Sequence, residues 1–175
     1  MGYGCLIPTG ITSTYDNCDG EFGGVLKLYI ANKGHVSKIG KDANDNVTGI
    51  TMIGGGKFYN FDFVPEVGAG LTEELQSDNG GFVQQTVAFS VQQLDQNKKK
   101  VLSRMKRAYM LAIVQQSDGT YKLAGETGLG LKSGATSVTT GQAATDIAGA
   151  TVSLVGNTLD YANTVTMTTI STILS

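Results

Sequence analysis

Apolar and polar residues alternate with a period of two along residues 57–91. The odd positions carry most of the large apolar side chains of this stretch: Tyr59, Phe61, Phe63, Val67, Leu71, Leu75, Val83, Val87, Phe89 and Val91. This alternation is typical of β-strands that bury one face. The sequence Asn79-Gly80-Gly81 interrupts it, and Asn and Gly tolerate the positive φ angles of tight turns. The pattern predicts a long β-hairpin over 57–91 that folds back near Asn79.

Most even positions of this hairpin are polar or small, which predicts a neutral-to-acidic face opposite the apolar one. Four of them form the candidate assembly site: Glu74, Gln76, Gln84 and Thr86. A long hairpin with one apolar face needs a partner sheet against that face, and its edges need further strands. We therefore expect partner subunits to contribute to its burial.

Shorter runs rich in β-branched and aromatic residues predict the remaining strands. They lie at 25–31, 36–39, 47–53, 111–115, 121–124, 150–155 and 164–173. Residues 1–21 are rich in Gly, Thr and Asp and lack periodicity, which predicts an extended N-terminal arm. The last predicted strand is almost uncharged, so we expect it to be paired and not left as a free edge.

One amphipathic helix is predicted over residues 98–110. Val101, Met105 and Ala108 recur at helical spacing, and Asp95 or Asn97 precedes them as a possible N-cap. Six of the chain's 13 basic residues occupy the rest of this segment: Lys98, Lys99, Lys100, Arg104, Lys106 and Arg107. Such a surface suits a nucleic acid or an acidic partner, and it also suits a solvated helix face. No aromatic side chain is interleaved on the basic face to stack on bases, which argues against single-strand binding.

Composition supports one mainly β domain. The chain has 175 residues, of which 41% are hydrophobic, and 24 are glycine. Its mean hydropathy of -0.02 is that of a globular protein. With 13 basic and 15 acidic residues, the total charge favours no class of partner. We expect a single domain over 1–175, built as a β-sandwich or small barrel with one flanking α-helix and the long hairpin.

Residue types needed for catalysis are sparse. His35 is the single histidine, so it would have to serve in any Ser–His or Cys–His site, yet it lies in a predicted turn. Cys5 and Cys18 are the two cysteines, and the sequence leaves open whether they pair. We expect no enzyme activity, no cofactor and no metal site.

Two local patterns are similar to known binding loops but depart from them. Residues 125–133 are glycine-rich. A phosphate loop requires Gly directly before Lys and a helix after the loop, but here Leu131 separates Gly130 from Lys132 and no helix is predicted to follow. The acidic and amide residues at 42–46 have calcium-loop spacing, but Val47 stands where the turn glycine belongs. We interpret the two segments as a glycine-rich connection and a solvated turn.

Several segments together resemble known phage proteins. The order of a first strand, a long hairpin, a helix and a strand–turn–strand is similar to that of tail tube proteins of long-tailed bacteriophages and contractile injection systems. The segments CDGEFGGVLKLYIANKG, VTGITM, KFYNFDF and QQSDGTYKLAGETGLGL resemble structural proteins of phages and prophages of Bacteroides-type bacteria, including crass-like phages. The resemblance covers about residues 15–160.

The resemblance implies a ring of six subunits, or a multiple, that stacks into a conduit for DNA. The hairpins would build the inner wall, with Glu74, Gln76, Gln84 and Thr86 facing the lumen. Since a conduit must let DNA pass without binding it, the basic helix would face away from the lumen. Other tail or neck proteins would be the partners, and tube, hub and neck positions all remain open. The chain would act in the virion and be made in the host cytoplasm, since it shows neither a secretory signal nor a membrane span.

Two further interpretations compete with the conduit. The Thr-rich, charge-poor C-terminal part also suits a small β-rich binding module for capsid decoration, a fibre or adhesion. The basic helix also suits a packaging protein that binds nucleic acid. A conduit needs the hairpin as an intersubunit element, whereas a binding module would be a stable monomer.

Overall fold

The computed structural model describes residues 24–61, 63, 69–76, 81–140 and 148–173. The predicted arm with Cys5 and Cys18, and the predicted turn at Asn79, lie outside these residues. The described elements are β1 (Val25–Asn32), β2 (Val36–Lys41), β3 (Val47–Met52), β4 (Tyr59–Phe61), β5 (Gly70–Gln76), β6 (Phe82–Gln92), α1 (Gln96–Met105), β7 (Tyr109–Gln116), β8 (Tyr121–Ala124), β9 (Leu131–Thr139), β10 (Gly149–Thr158), β11 (Asn163–Val165) and α2 (Met167–Ile173). The mainly β class predicted from the sequence is confirmed.

The strands form one open hydrogen-bonded sheet. Its order is β2-β3-β11-β8-β7-β9-β10-β6-β5, and β1 pairs with β7 and β4. Of the described strand pairs, β11 and β3 are parallel and the others are antiparallel. Among the described strands β2 and β5 lie at opposite ends of this path, so the sheet does not close into a barrel within the subunit.

β7 is the centre of the structure and is buried on both faces. Its residues Met110 to Val114 are each at most 1% exposed. A strand covered on both sides reads as a continuous apolar run, which is why this segment shows no alternation. The two faces of β7 therefore lead into two separate cores.

The first core lies between β1 and β7 on one side and β6, β10 and α1 on the other. Leu28 and Ala112 meet Phe89, Leu154 and Met105 there. The second core lies on the opposite face of β1 and β7, under β3, β11 and α2. Its buried members include Tyr29, Val47, Ile113, Val165 and Ile170. The outer parts of the sheet thus fold over both faces of its centre.

The long hairpin is shorter than the alternation predicts. β5 and β6 pair antiparallel from Gly70↔Ala88 to Gln76↔Phe82, so the second part is a hairpin. The prediction is wrong for the first part, because β4 pairs with β1 and not with β6. Phe61 and Phe89 nevertheless face the same core, with ring centroids 5.7 Å apart in an edge-to-face contact. Alternation identifies a buried face but not the partner strand.

Two other boundaries also differ from the prediction. α1 ends at Met105, and the residues from Tyr109 on form β7, so the predicted helix over 98–110 is too long at its C-terminal end. The predicted strand over 164–173 continues as a strand only to Val165 and then forms α2. Burial of Ile170 in the second core, with Thr169 buried beside it in α2, outweighs the β propensity of this Thr-rich segment. Within the described residues, no helix is both long enough and apolar enough to cross a membrane.

Candidate assembly surfaces

The four predicted assembly residues lie on one face of the β5–β6 hairpin. Glu74 pairs with Gln84, and Thr86 pairs with Thr72, while Gln76 lies at the end of β5 opposite Phe82. The intervening residues of β6 are buried: Val83, Gln85, Val87 and Phe89 are at most 2% exposed. Because successive side chains of a strand point to opposite faces, the predicted residues face away from the first core.

This outward face continues across β10 onto β9. Asn157 lies beside Gln84, Val155 lies beside Thr86, and Lys132 lies beside Val155. We call this four-stranded surface of β5, β6, β10 and β9 the polar face. Among its described residues Glu74 and Lys132 are the charged ones, so the face is close to neutral.

Among the described residues, the polar face ends in two strand edges, β5 and most of β9, that pair with no further strand. β5 pairs with β6 alone, and β9 pairs with β7 only at Leu131 and Lys132 before it continues beside β10. The four strands alternate in direction, so β5 and β9 run antiparallel to each other. An edge of this kind is a template for pairing with another chain.

An exposed apolar side chain lies at each of these edges, on the core side of the sheet. Leu75 of β5 is 63% exposed and Val138 of β9 is 54% exposed. Leu75 shares its face with buried Val83, and Val138 shares its face with buried Ala150. The two side chains therefore extend the first core toward both edges without being covered within the subunit.

A buried polar network that the sequence pattern does not predict holds the β5–β6 hairpin on its core side. Gln85 is 1% exposed. Its Nε2 donates to Glu73 Oε1 (3.0 Å) and to the Asp160 carbonyl oxygen (3.3 Å), and its Oε1 accepts from Gly125 N (2.8 Å). Glu73 Oε1 also accepts from Ala162 N. Glu73 and Gln85 are polar residues at core-facing positions that are otherwise apolar, and this is the sequence feature that could have indicated the network.

The glycine-rich connection at 125–133 belongs to the same network, and its backbone carbonyls bind the ammonium group of Lys33. Lys33 Nζ donates to the carbonyl oxygens of Gly125 (3.0 Å), Glu126 (2.8 Å) and Gly128 (2.9 Å). Burial lowers the pKa of Lys33, and the nearby Glu126 carboxylate acts to raise it. Glu126 Oε1 forms a salt bridge with Lys41 Nζ at 2.8 Å. A loop that turns its carbonyls toward an ammonium group has the opposite polarity to a phosphate site.

Residues 42–46, which have calcium-loop spacing, form a turn that the carboxylate of Asp42 holds in place. Asp42 Oδ1 accepts from Asn44 N (2.8 Å) and Asn46 N (2.9 Å), and its Oδ2 accepts from Asn46 Nδ2 (3.0 Å). The side-chain hydrogen bond from Asn46 is the main cause that lowers the pKa of Asp42. In the part of the chain that the structure describes, no three His, Cys, Asp or Glu side chains are grouped to hold a metal ion.

The basic helix lies on the core side of β6, away from the polar face. Asp95 is its N-cap, because its side chain accepts from Lys98 N at 2.7 Å. Met105 packs into the first core, which the inner face of β6 also lines. The six basic residues named above are all exposed. None of them forms a salt bridge with another described residue.

Comparisons with protein-family models, with curated protein sequences and with solved structures found no match to this chain.

Proposed function

We propose that this chain is a virion structural protein that assembles into a ring in a phage tail or neck and forms a conduit for DNA. The observation that carries the proposal is the polar face: a nearly neutral antiparallel sheet whose two outer strands pair with no further strand among the described residues. The resemblance to tail tube proteins supports the same assembly.

Ring formation would follow from pairing β5 of one subunit with β9 of the next. This contact is antiparallel, and it is head-to-tail, which is the type of interface that closes into rings. It would also bring Leu75 of one subunit and Val138 of the next to the same side of a continuous sheet. Six copies would supply about 24 strands, which at ~4.8 Å spacing and ~40° tilt close at a diameter of roughly 45–50 Å.

The charge distribution suits a wall that DNA slides along. Lysine and arginine bind phosphates and make DNA affinity salt-dependent, so a lumen should carry few of them. On the polar face Glu74 and Lys132 offset each other, whereas the six basic residues of the α1 region lie on the other side of β6.

The test is the mass of the purified chain in solution, with negative-stain images of the same sample. We expect closed rings or stacked tubes built from 18.3 kDa subunits. Leu75→Asp and Val138→Asp should each prevent ring formation, since each places a carboxylate at the proposed contact. Both side chains are exposed in the subunit, so folding should be retained.

Leu129→Asp is the matched control, because Leu129 is 70% exposed and lies on neither edge. It should leave the rings intact. A wild-type chain that stays monomeric at high concentration would favour the alternative, a capsid-decoration, fibre or adhesion module.

A further inference from the structure

An apolar groove separates α1 from the ends of β1 and β4. Its volume is about 700 Å³, and Ile30, Phe61, Leu102 and Met105 are among its lining residues. Val101 also lines it and is 46% exposed, which is high for a valine beside a core. A groove of this size and polarity is typical of a site that binds an apolar segment.

The rim of the groove is positively charged. Lys98 and Arg104 line it, and residues 96–117 contain six basic residues and no acidic one. Among the described lining residues Asp95 is the acidic one, and its carboxylate is the N-cap of α1. Arg104 forms no salt bridge with a described side chain, and Lys98 Nζ donates to the carbonyl oxygens of Gln92 (3.2 Å) and Gln93 (3.0 Å). Since carbonyls carry no net charge, the rim stays positive within the described part of the chain.

Residues 1–23 have the complementary composition. They contain Asp16, Asp19 and Glu21 and no Lys, Arg or His. They also contain apolar side chains at intervals, among them Tyr3, Leu6, Ile7, Ile11 and Tyr15. Without this segment, the remaining 152 residues carry 13 basic and 12 acidic side chains, since 15 minus 3 acidic residues is 12.

The segment is long enough to reach the groove. The described chain begins at Gly24, whose carbonyl accepts from Ser117 N at the start of β1. The groove lies beside the last residues of β1, about 20–25 Å away at ~3.3 Å per strand residue. Twenty-three extended residues span up to roughly 75 Å, so the segment can fold back along its own subunit.

We infer that residues 1–23 dock into this groove of the same subunit, placing apolar side chains between α1 and β4 and carboxylates beside Lys98 and Arg104. The inference does not depend on ring formation, because every group that it uses belongs to one chain. Apolar burial would supply most of the affinity, and the charges would orient the segment.

The two native cysteines make the docking measurable in the full-length chain. Cys5 and Cys18 both lie in residues 1–23, and the sequence has no other cysteine. Val101→Cys adds a third thiol at the groove. A short bis-maleimide reagent is applied to dilute protein, and the linked peptides are identified by mass spectrometry.

Ile53→Cys is the matched control. Ile53 is 51% exposed, similar to Val101, but it follows β3, which packs on the opposite face of β1 and β7 from α1. Docking should raise the yield of within-subunit links by about tenfold or more in Val101→Cys relative to Ile53→Cys, through a higher effective concentration. Equal yields, or links only between subunits, would overturn the inference.

Hydrogen exchange gives a second measurement that needs no added thiol. Amides of residues 1–23 should exchange more slowly in the wild-type chain than in Arg104→Glu, since this change reverses a charge at the rim. Arg107→Glu is the control, because Arg107 is exposed on the same segment but does not line the groove. Identical exchange of residues 1–23 in all three proteins would contradict the docking.

Discussion

Gln85 connects three segments of the chain through a single amide group. It bonds Glu73 in the neighbouring strand, the Asp160 carbonyl after β10 and the Gly125 amide after β8. Buried polar groups in proteins are nearly always hydrogen-bonded, and losing one partner leaves the others desolvated and unpaired. Gln85 therefore fixes the position of the hairpin relative to both loops.

Gln85→Leu should destabilise the protein by about 2–4 kcal/mol, because Leu has a similar size but cannot replace these hydrogen bonds. Glu73 would keep its bond from Ala162 N, whereas Gly125 N would lose the amide oxygen that accepts from it. Denaturant unfolding measures the change. Gln84→Leu is the control on the preceding residue of β6, which is only partly buried, and should change stability by less than about 1 kcal/mol. Equal effects would show that the network contributes little.

At the scale of elements, β6 combines a fully buried face with a polar one. Val87 is 1% exposed and packs in the first core, and its neighbour Thr86 lies on the polar face. The β5–β6 hairpin can thus expose its polar face to solvent because its opposite face is buried against β1 and β7.

Val87→Asp should unfold the protein or destabilise it by about 3 kcal/mol or more, since it buries a carboxylate without a partner. Thr86→Asp adds the same side chain to the opposite face and should cost less than about 1 kcal/mol. Circular dichroism during thermal unfolding distinguishes the two variants. Similar losses would mean that the two faces of β6 are assigned the wrong way round.

The sequence predicted the elements better than their partners. Alternation identified the buried residues of β6, and helical spacing with Asp95 located the start of α1. The sequence pattern did not show that β4 pairs with β1, because strand pairing depends on contacts between residues far apart in the chain. The network around Gln85 was missed for the same reason: its partners Gly125 and Asp160 lie 40 and 75 residues away.

At the scale of the whole molecule, basic residues are concentrated on one side of β6 and the other side is close to neutral. The chain has almost equal numbers of basic and acidic residues, yet six of its basic residues lie within 98–107. The polar face is close to neutral, and α1 packs on the opposite side of the same strand. A conduit and a packaging protein would use these two surfaces differently, so DNA binding separates the two functions.

If the proposed ring forms, we expect the assembled wild-type protein to show no salt-dependent affinity for double-stranded DNA near physiological ionic strength, because the polar face that would line its lumen has few cations. Adding Gln84→Lys and Thr86→Lys on the polar face should create such affinity, with log K falling more steeply against log salt as each lysine displaces a counterion. Reversing Lys98, Lys99 and Lys100 to Glu is the comparison variant and should leave the wild-type result unchanged. If the wild-type chain instead binds DNA, and this reversal abolishes the binding, the basic helix is the functional surface and the packaging interpretation replaces the conduit.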